Sequence, residues 1–79
     1  MQLEQRLLID AALSRYGARL TEDGFIATPE KTTSVQVKFL KGRMRMYGGA
    51  AGELASYPAG RIEAGVKDFV EKFWYWKPK

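Results

Sequence analysis

Residues 34–49, SVQVKFLKGRMRMYGG, restrict the fold of this 79-residue chain more than any other part of it. Two stretches of apolar and polar alternation flank Lys41-Gly42, and period-two alternation marks strands with one buried face. Glycine in the second turn position supplies the positive φ that a tight two-residue connection needs. Such a loop sets Phe39 against Met44 and Val37 against Met46 on one face. Leu40/Arg43, Lys38/Arg45 and Gln36/Tyr47 then pair on the other. A three-residue loop over 40–42 would place Phe39 opposite Arg43 and carry charge into the apolar face, so the two-residue turn is expected.

The polar face of this hairpin carries Lys38 directly across from Arg45, a like-charge pair that stabilises nothing by itself. Two readings of it stand. A solvated edge uses its charges only against aggregation; a binding face has them neutralised by an anionic partner, either a nucleic acid or an acidic protein surface. The candidate binding residues are Gln36, Lys38, Lys41, Arg43, Arg45 and Tyr47, with Trp74 as a further aromatic anchor near the end of the chain.

Charge is distributed to match. The chain has 13 Lys and Arg against 9 Asp and Glu, and between Lys31 and Gly52 there are five basic residues and no acid. The chain contains neither Cys nor His. That excludes a disulfide framework, a thiolate zinc site, and the commonest metal ligand and general base. No nucleophile and base pair is discernible, so an enzyme is not expected, and no cofactor is implied. The adjacent acids Glu22 and Asp23 precede Gly24 and read as turn chemistry. The length accommodates a single domain over 1–79. The start, MQLEQRLLID, lacks the apolar core of a signal peptide, and no stretch reaches membrane-spanning length. A cytoplasmic protein with no membrane partner is expected.

A first helix is predicted over 2–16, with Glu4 near its start, Arg15 in its last turn and Gly17 as the C′ residue. No good N-cap precedes it. Its apolar residues fall in two stripes: Leu8, Ile9, Ala12, Leu13 and Tyr16 form the broader one, Leu3, Leu7 and Ala11 the other. The second stripe is buried either by the C-terminal helix of the same chain, the preferred reading, or in a homodimer seam. Residues 25–28 read as a strand closed by Pro29, and Leu20 is placed in a brief extended segment before it.

The run GGAAGELASYPAG after Tyr47 reads as a flexible connector with one helical turn at 53–56; it lacks the ending of a P-loop. A second helix is predicted over 61–76, where Ile62, Val66, Phe69, Val70, Phe73 and Trp76 follow the helical period. Glu63/Lys67, Lys67/Glu71 and Asp68/Lys72 dress its opposite side. The aromatics of KFWYWKPK read mainly as core, with Trp74 and Tyr75 at its edge.

The expected fold is α+β in two layers, α-β-β-β-α, with a three-stranded antiparallel sheet and two helices on one face. Double-stranded RNA-binding domains share that order, but the basic, alanine-rich start of their second helix is missing from AGRIEAGVKD. Two functions fit. One is a small non-enzymatic macromolecule binder that uses the basic hairpin face, nucleic acid being one such ligand. The other is a protein-binding inhibitor or adaptor, in the manner of small phage or mobile-element proteins such as anti-CRISPR proteins.

Overall fold

The computed structural model describes residues 2–73. Its elements run α1 (Leu3–Ser14), β1 (Arg19–Leu20), β2 (Phe25–Ala27), β3 (Thr32–Leu40), β4 (Arg43–Tyr47), a 3-10 turn (Gly49–Ala51), β5 (Glu53–Pro58) and α2 (Ile62–Lys72). α2 ends at Lys72, sooner than the expected 76, because Phe73 caps it in a non-helical conformation (φ −130°, ψ 60°); Trp74 and the residues after it lie outside the described residues. The strands form one antiparallel sheet in chain order, β1-β2-β3-β4-β5.

The central hairpin has the expected register: Phe39 pairs with Met44, Val37 with Met46, Lys38 with Arg45, and Leu40 with Arg43. Its turn has positive φ at both positions, 52° at Lys41 and 73° at Gly42, the signature of a type I′ connection. Glycine accepts that conformation freely, whereas Lys41 is held in it by the ladder on either side.

Five strands replace the three expected. The brief extended segment at Leu20 is β1, paired with β2. The larger correction is 53–58, expected as connector with a helical turn and found as β5, paired with β4 along its length. Glu and Ala are poor strand formers. What makes β5 a strand is its neighbour: β4 would otherwise leave the backbone groups of Met44 and Met46 unpaired beside the core. A bulge between Met46 and Tyr47 sets Tyr47 opposite Glu53 instead of Leu54. Leu54 and Ala55 therefore both pack toward the core although they are consecutive.

One core joins Ile9, Ala12 and Leu13 of α1, the alternate strand residues Ile26, Val35, Val37, Met44 and Met46, and Ile62, Val66, Phe69 and Val70 of α2. The two helices pack on each other, and the Arg15–Glu63 ion pair at 3.8 Å joins the end of α1 to the start of α2. Gly65 sets how close α2 comes to the sheet. A Cβ there would lie 2.7 Å from Met44 Cε and 2.9 Å from Tyr57 Cγ.

α1 ends at Ser14 and is followed by Gly17 at φ 75°; the Ala18 N–H reaches back to the Leu13 carbonyl at 3.1 Å, closing the helix as its glycine predicts. Its exposed side differs from expectation. α2 does not bury the second stripe: Leu3 is 71% and Leu7 61% exposed, and Ala11 is exposed as well. Leu8, expected in the core, is 52% exposed. The contact arc of α1 is narrower than its apolar arc, because the helix lies against β1 and α2 only at its Ile9, Ala12 and Leu13 side. Among the described residues no helix is long and apolar enough to cross a membrane.

Candidate functional site

Residues paired across a sheet project to the same side, and residues two apart on a strand share a face. The registers therefore lay out the polar face as three rows. Phe25, Gln36, Tyr47 and Glu53 form the first, across β2 to β5. Lys38, Arg45 and Ser56 form the second, and Leu40, Arg43 and Pro58 the third. Lys41 extends from the turn beyond the third row. Six of the seven candidate residues thus meet on one surface, and the seventh, Trp74, lies outside the described residues.

The like-charge pair expected at Lys38 and Arg45 is relieved from both sides. Arg45 Nη1 donates to Glu53 Oε1 at 2.7 Å, and this hydrogen bond holds the guanidinium above its ordinary pKa. Lys38 leans toward the same row, its Nζ 5.5 Å from the centroid of the Tyr47 ring, within cation–π range. Arg43 turns toward β5 and donates from Nε to Ser56 Oγ at 2.6 Å and from Nη2 to the Ser56 carbonyl at 3.2 Å. Both acceptors are neutral, so Arg43 keeps its charge uncompensated. Glu53 offsets Arg45 alone, and Lys38, Lys41 and Arg43 remain the effective cations of the face.

Phe25, Glu53 and Ser56 belong to this surface and are not among the residues that the sequence singled out. Phe25 is half-buried and stands outside the core cluster. Its strand was expected, but its side of the sheet follows only from its pairing with Gln36. Glu53 and Ser56 sit on the unexpected strand. Gln36 is fixed between the two rings, its Nε2 donating to the Asp23 carbonyl at 3.1 Å.

The polar face is rich in donors, with two half-buried rings among the exposed Lys38 and Lys41 and the half-buried Arg43 and Arg45. It offers charge, stacking surface and hydrogen bonds. Comparison with family models, curated proteins and solved structures finds no match for this chain.

Proposed function

We propose that this chain is a non-enzymatic binding protein that engages single-stranded nucleic acid on the polar face of β2 to β5. The observation that carries the reading is the row Phe25, Gln36, Tyr47. Two rings stand on alternate strands with a polar amide between them, and adjacent strands are about 4.8 Å apart, so the rings lie about 10 Å from each other. Bases stack on aromatic platforms of this kind, and Gln36 can meet a base edge. Lys38 and Arg43 occupy the next two rows and Lys41 the turn, where a phosphate backbone passing beside stacked bases would meet them.

A duplex suits the face less well. Its bases are already stacked, so the rings have nothing to hold, and only the cations contribute. Binding draws Lys38 off the Tyr47 ring toward a phosphate and uncovers the ring for a base in the same movement. An acidic protein surface would use the cations and leave the rings idle.

Fluorescence anisotropy with labelled mixed-sequence oligonucleotides at low salt tests the reading. Single strands are expected to bind more tightly than duplexes of the same sequence. Three cations on a single strand predict a log-log salt slope of about −2. Tyr47→Ala is expected to weaken binding by about 1–3 kcal/mol, the worth of one stacked base. No binding of either form at about 10 μM overturns the proposal, because non-specific affinity at low salt should exceed that level. The basic face would then serve an acidic protein partner.

A further inference from the structure

The sheet protects its outer edges and leaves one step open inside. At the β1 edge, Asp10 Oδ1 of α1 accepts the Leu20 N–H at 2.8 Å. At the β5 edge, Pro58 has no N–H to offer, and Arg43 occupies the Ser56 carbonyl. Both are known ways of blunting an edge. β3 is different, because it is nine residues long and β2 only three. Past the Phe25–Gln36 pair, β2 gives way to the turn that leads back to β1, and its last contact is the Val37 N–H to the Gly24 carbonyl at 2.8 Å.

Backbone groups of an antiparallel strand alternate between its two neighbours. Gln36, Lys38 and Leu40 direct theirs toward β4, and Val37 turns its N–H toward Gly24. By the same alternation the N–H and C=O of Phe39 face away from β4, and among the described residues no strand lies beside them. They open onto a groove of about 440 Å³ lined by Arg6, Glu22, Asp23, Gly24 and β3 from Gln36 to Leu40. Arg6 walls the helix side, anchored by donating to the carbonyls of Thr21 at 2.8 Å and Glu22 at 3.2 Å.

We propose that this step is a docking site for a short extended peptide from a partner protein, which pairs with β3 at Phe39 and completes the sheet locally. Strand addition to an open edge draws affinity from main-chain hydrogen bonds and selectivity from alternate side chains. The open part of β3 is about 10 Å long at 3.3 Å per residue, enough for three or four residues. The turn closes one end of the step and Arg6 borders its helix side.

Charge fixes the peptide's chemistry. The closed end of the groove carries Glu22 and Asp23; Lys38 lies between that end and Phe39 with its Nζ over the Tyr47 ring, and Lys41 stands at the hairpin tip. The segment that fits has a basic residue at the turn end, an apolar residue over the half-buried Phe39, and an acidic residue toward the hairpin tip. The groove borders the nucleic-acid face and shares Gln36 and Lys38 with it, but Phe39, Glu22 and Asp23 take no part in the rows of that face, so substitutions at Glu22 and Asp23 report on the groove.

The test uses two acetylated and amidated hexapeptides, Gly-Arg-Ile-Thr-Glu-Gly and its reverse, because the strand can add in either direction. Hydrogen exchange read by NMR on the free protein comes first: the Phe39 amide is expected to exchange fast while Lys38 and Leu40 are protected. A protected Phe39 amide in the free protein contradicts the open step. One of the two peptides at about 1 mM should then slow exchange at Phe39 at least several-fold. The double variant Glu22→Lys, Asp23→Lys should abolish that slowing while leaving oligonucleotide binding intact or stronger. If neither peptide protects Phe39, or if protection survives the double variant, the proposal is wrong.

Discussion

On the helix side of the β3–β4 hairpin, Val37, Met44 and Met46 are at most 2% exposed and each faces another apolar residue across the ladder. On the other side Lys38, Arg43, Arg45 and Tyr47 keep access to water, and they are tied to the sheet surface by hydrogen bonds, an ion pair and a ring contact. The two faces share one backbone. The difference teaches that the inner face fixes register and stability, because a slip of one residue would exchange the faces entirely. The outer face is expected to add little to stability, which suits the proposed role of binding a ligand there.

The sharpest way to break that comparison is to cut into the inner face. Met44→Ala should destabilise the protein by about 2–5 kcal/mol, since Met44 is fully buried beneath α2. Lys38→Ala, on the outer face directly across from Arg45, should stay within about 0.5 kcal/mol. Urea unfolding midpoints of the two variants measure both. Equal losses would dissolve the distinction between the faces.

Next in size is Gly65→Leu. The larger side chain would push α2 off Met44 and Tyr57, where a single Cβ already meets atoms at 2.7 and 2.9 Å. A loss of about 1–3 kcal/mol is expected from overpacking, even though leucine is the better helix former. The Met44 tip can yield, but the Tyr57 ring is held by its hydroxyl, which donates to Asp68 Oδ2 at 2.7 Å. An unchanged urea midpoint would mean that the helix is not seated as closely as described.

That Tyr57–Asp68 bond also makes stability depend on pH at two ends. The hydrogen bond from Tyr57 and, after it, Lys72 hold the Asp68 carboxyl below its ordinary pKa. Its contribution is therefore present above the unfolded carboxylate value, about 4, and is lost as pH falls below it. Burial and then Asp68 push the Tyr57 phenol above its ordinary pKa. Its contribution is complete below about pH 10 and is lost as pH rises beyond. Unfolding midpoints at about pH 3, 7 and 11 should show both losses, and Tyr57→Phe should flatten both.

The smallest effect is expected at Leu7→Glu. With Leu7 61% exposed, stability should change by no more than about 0.5 kcal/mol. Light scattering on the same pair of proteins asks whether Leu3, Leu7 and Ala11 form a homodimer seam. A dimer that the variant turns into a folded monomer supports the seam, and a monomeric wild type removes it.

How far the sequence disclosed these two faces depends on the kind of signal each element carries. The hairpin was legible down to its register, because period-two alternation on both arms and the glycine in its turn give one consistent solution. α2 was legible through its 3.6-residue period from Ile62 to Lys72, but its end was placed too late, since Phe73 already leaves the helix. β5 was not: its Glu and Ala residues carry weak strand preference, and the bulge at Leu54 breaks the alternation that would have marked it. The candidate site inherited that blindness. Arg45 looked like an unrelieved charge because its partner, Glu53, stands on the strand the sequence concealed. Phe25 was seen as a strand residue but not assigned a face, since a three-residue strand has too short a pattern to show which side is buried.

The central claim is that one surface holds the ligand, and residue-resolved NMR titration with a mixed-sequence single-stranded oligonucleotide tests it most directly. The account predicts that shifts concentrate at Phe25, Gln36, Lys38, Arg43 and Tyr47, with the Lys38 and Tyr47 side chains changing together as the cation leaves the ring. Ile9, Leu13, Val66 and Phe69 in the shared core should stay still. Shifts spread over α1 and α2 with Phe25 and Tyr47 unmoved would contradict it.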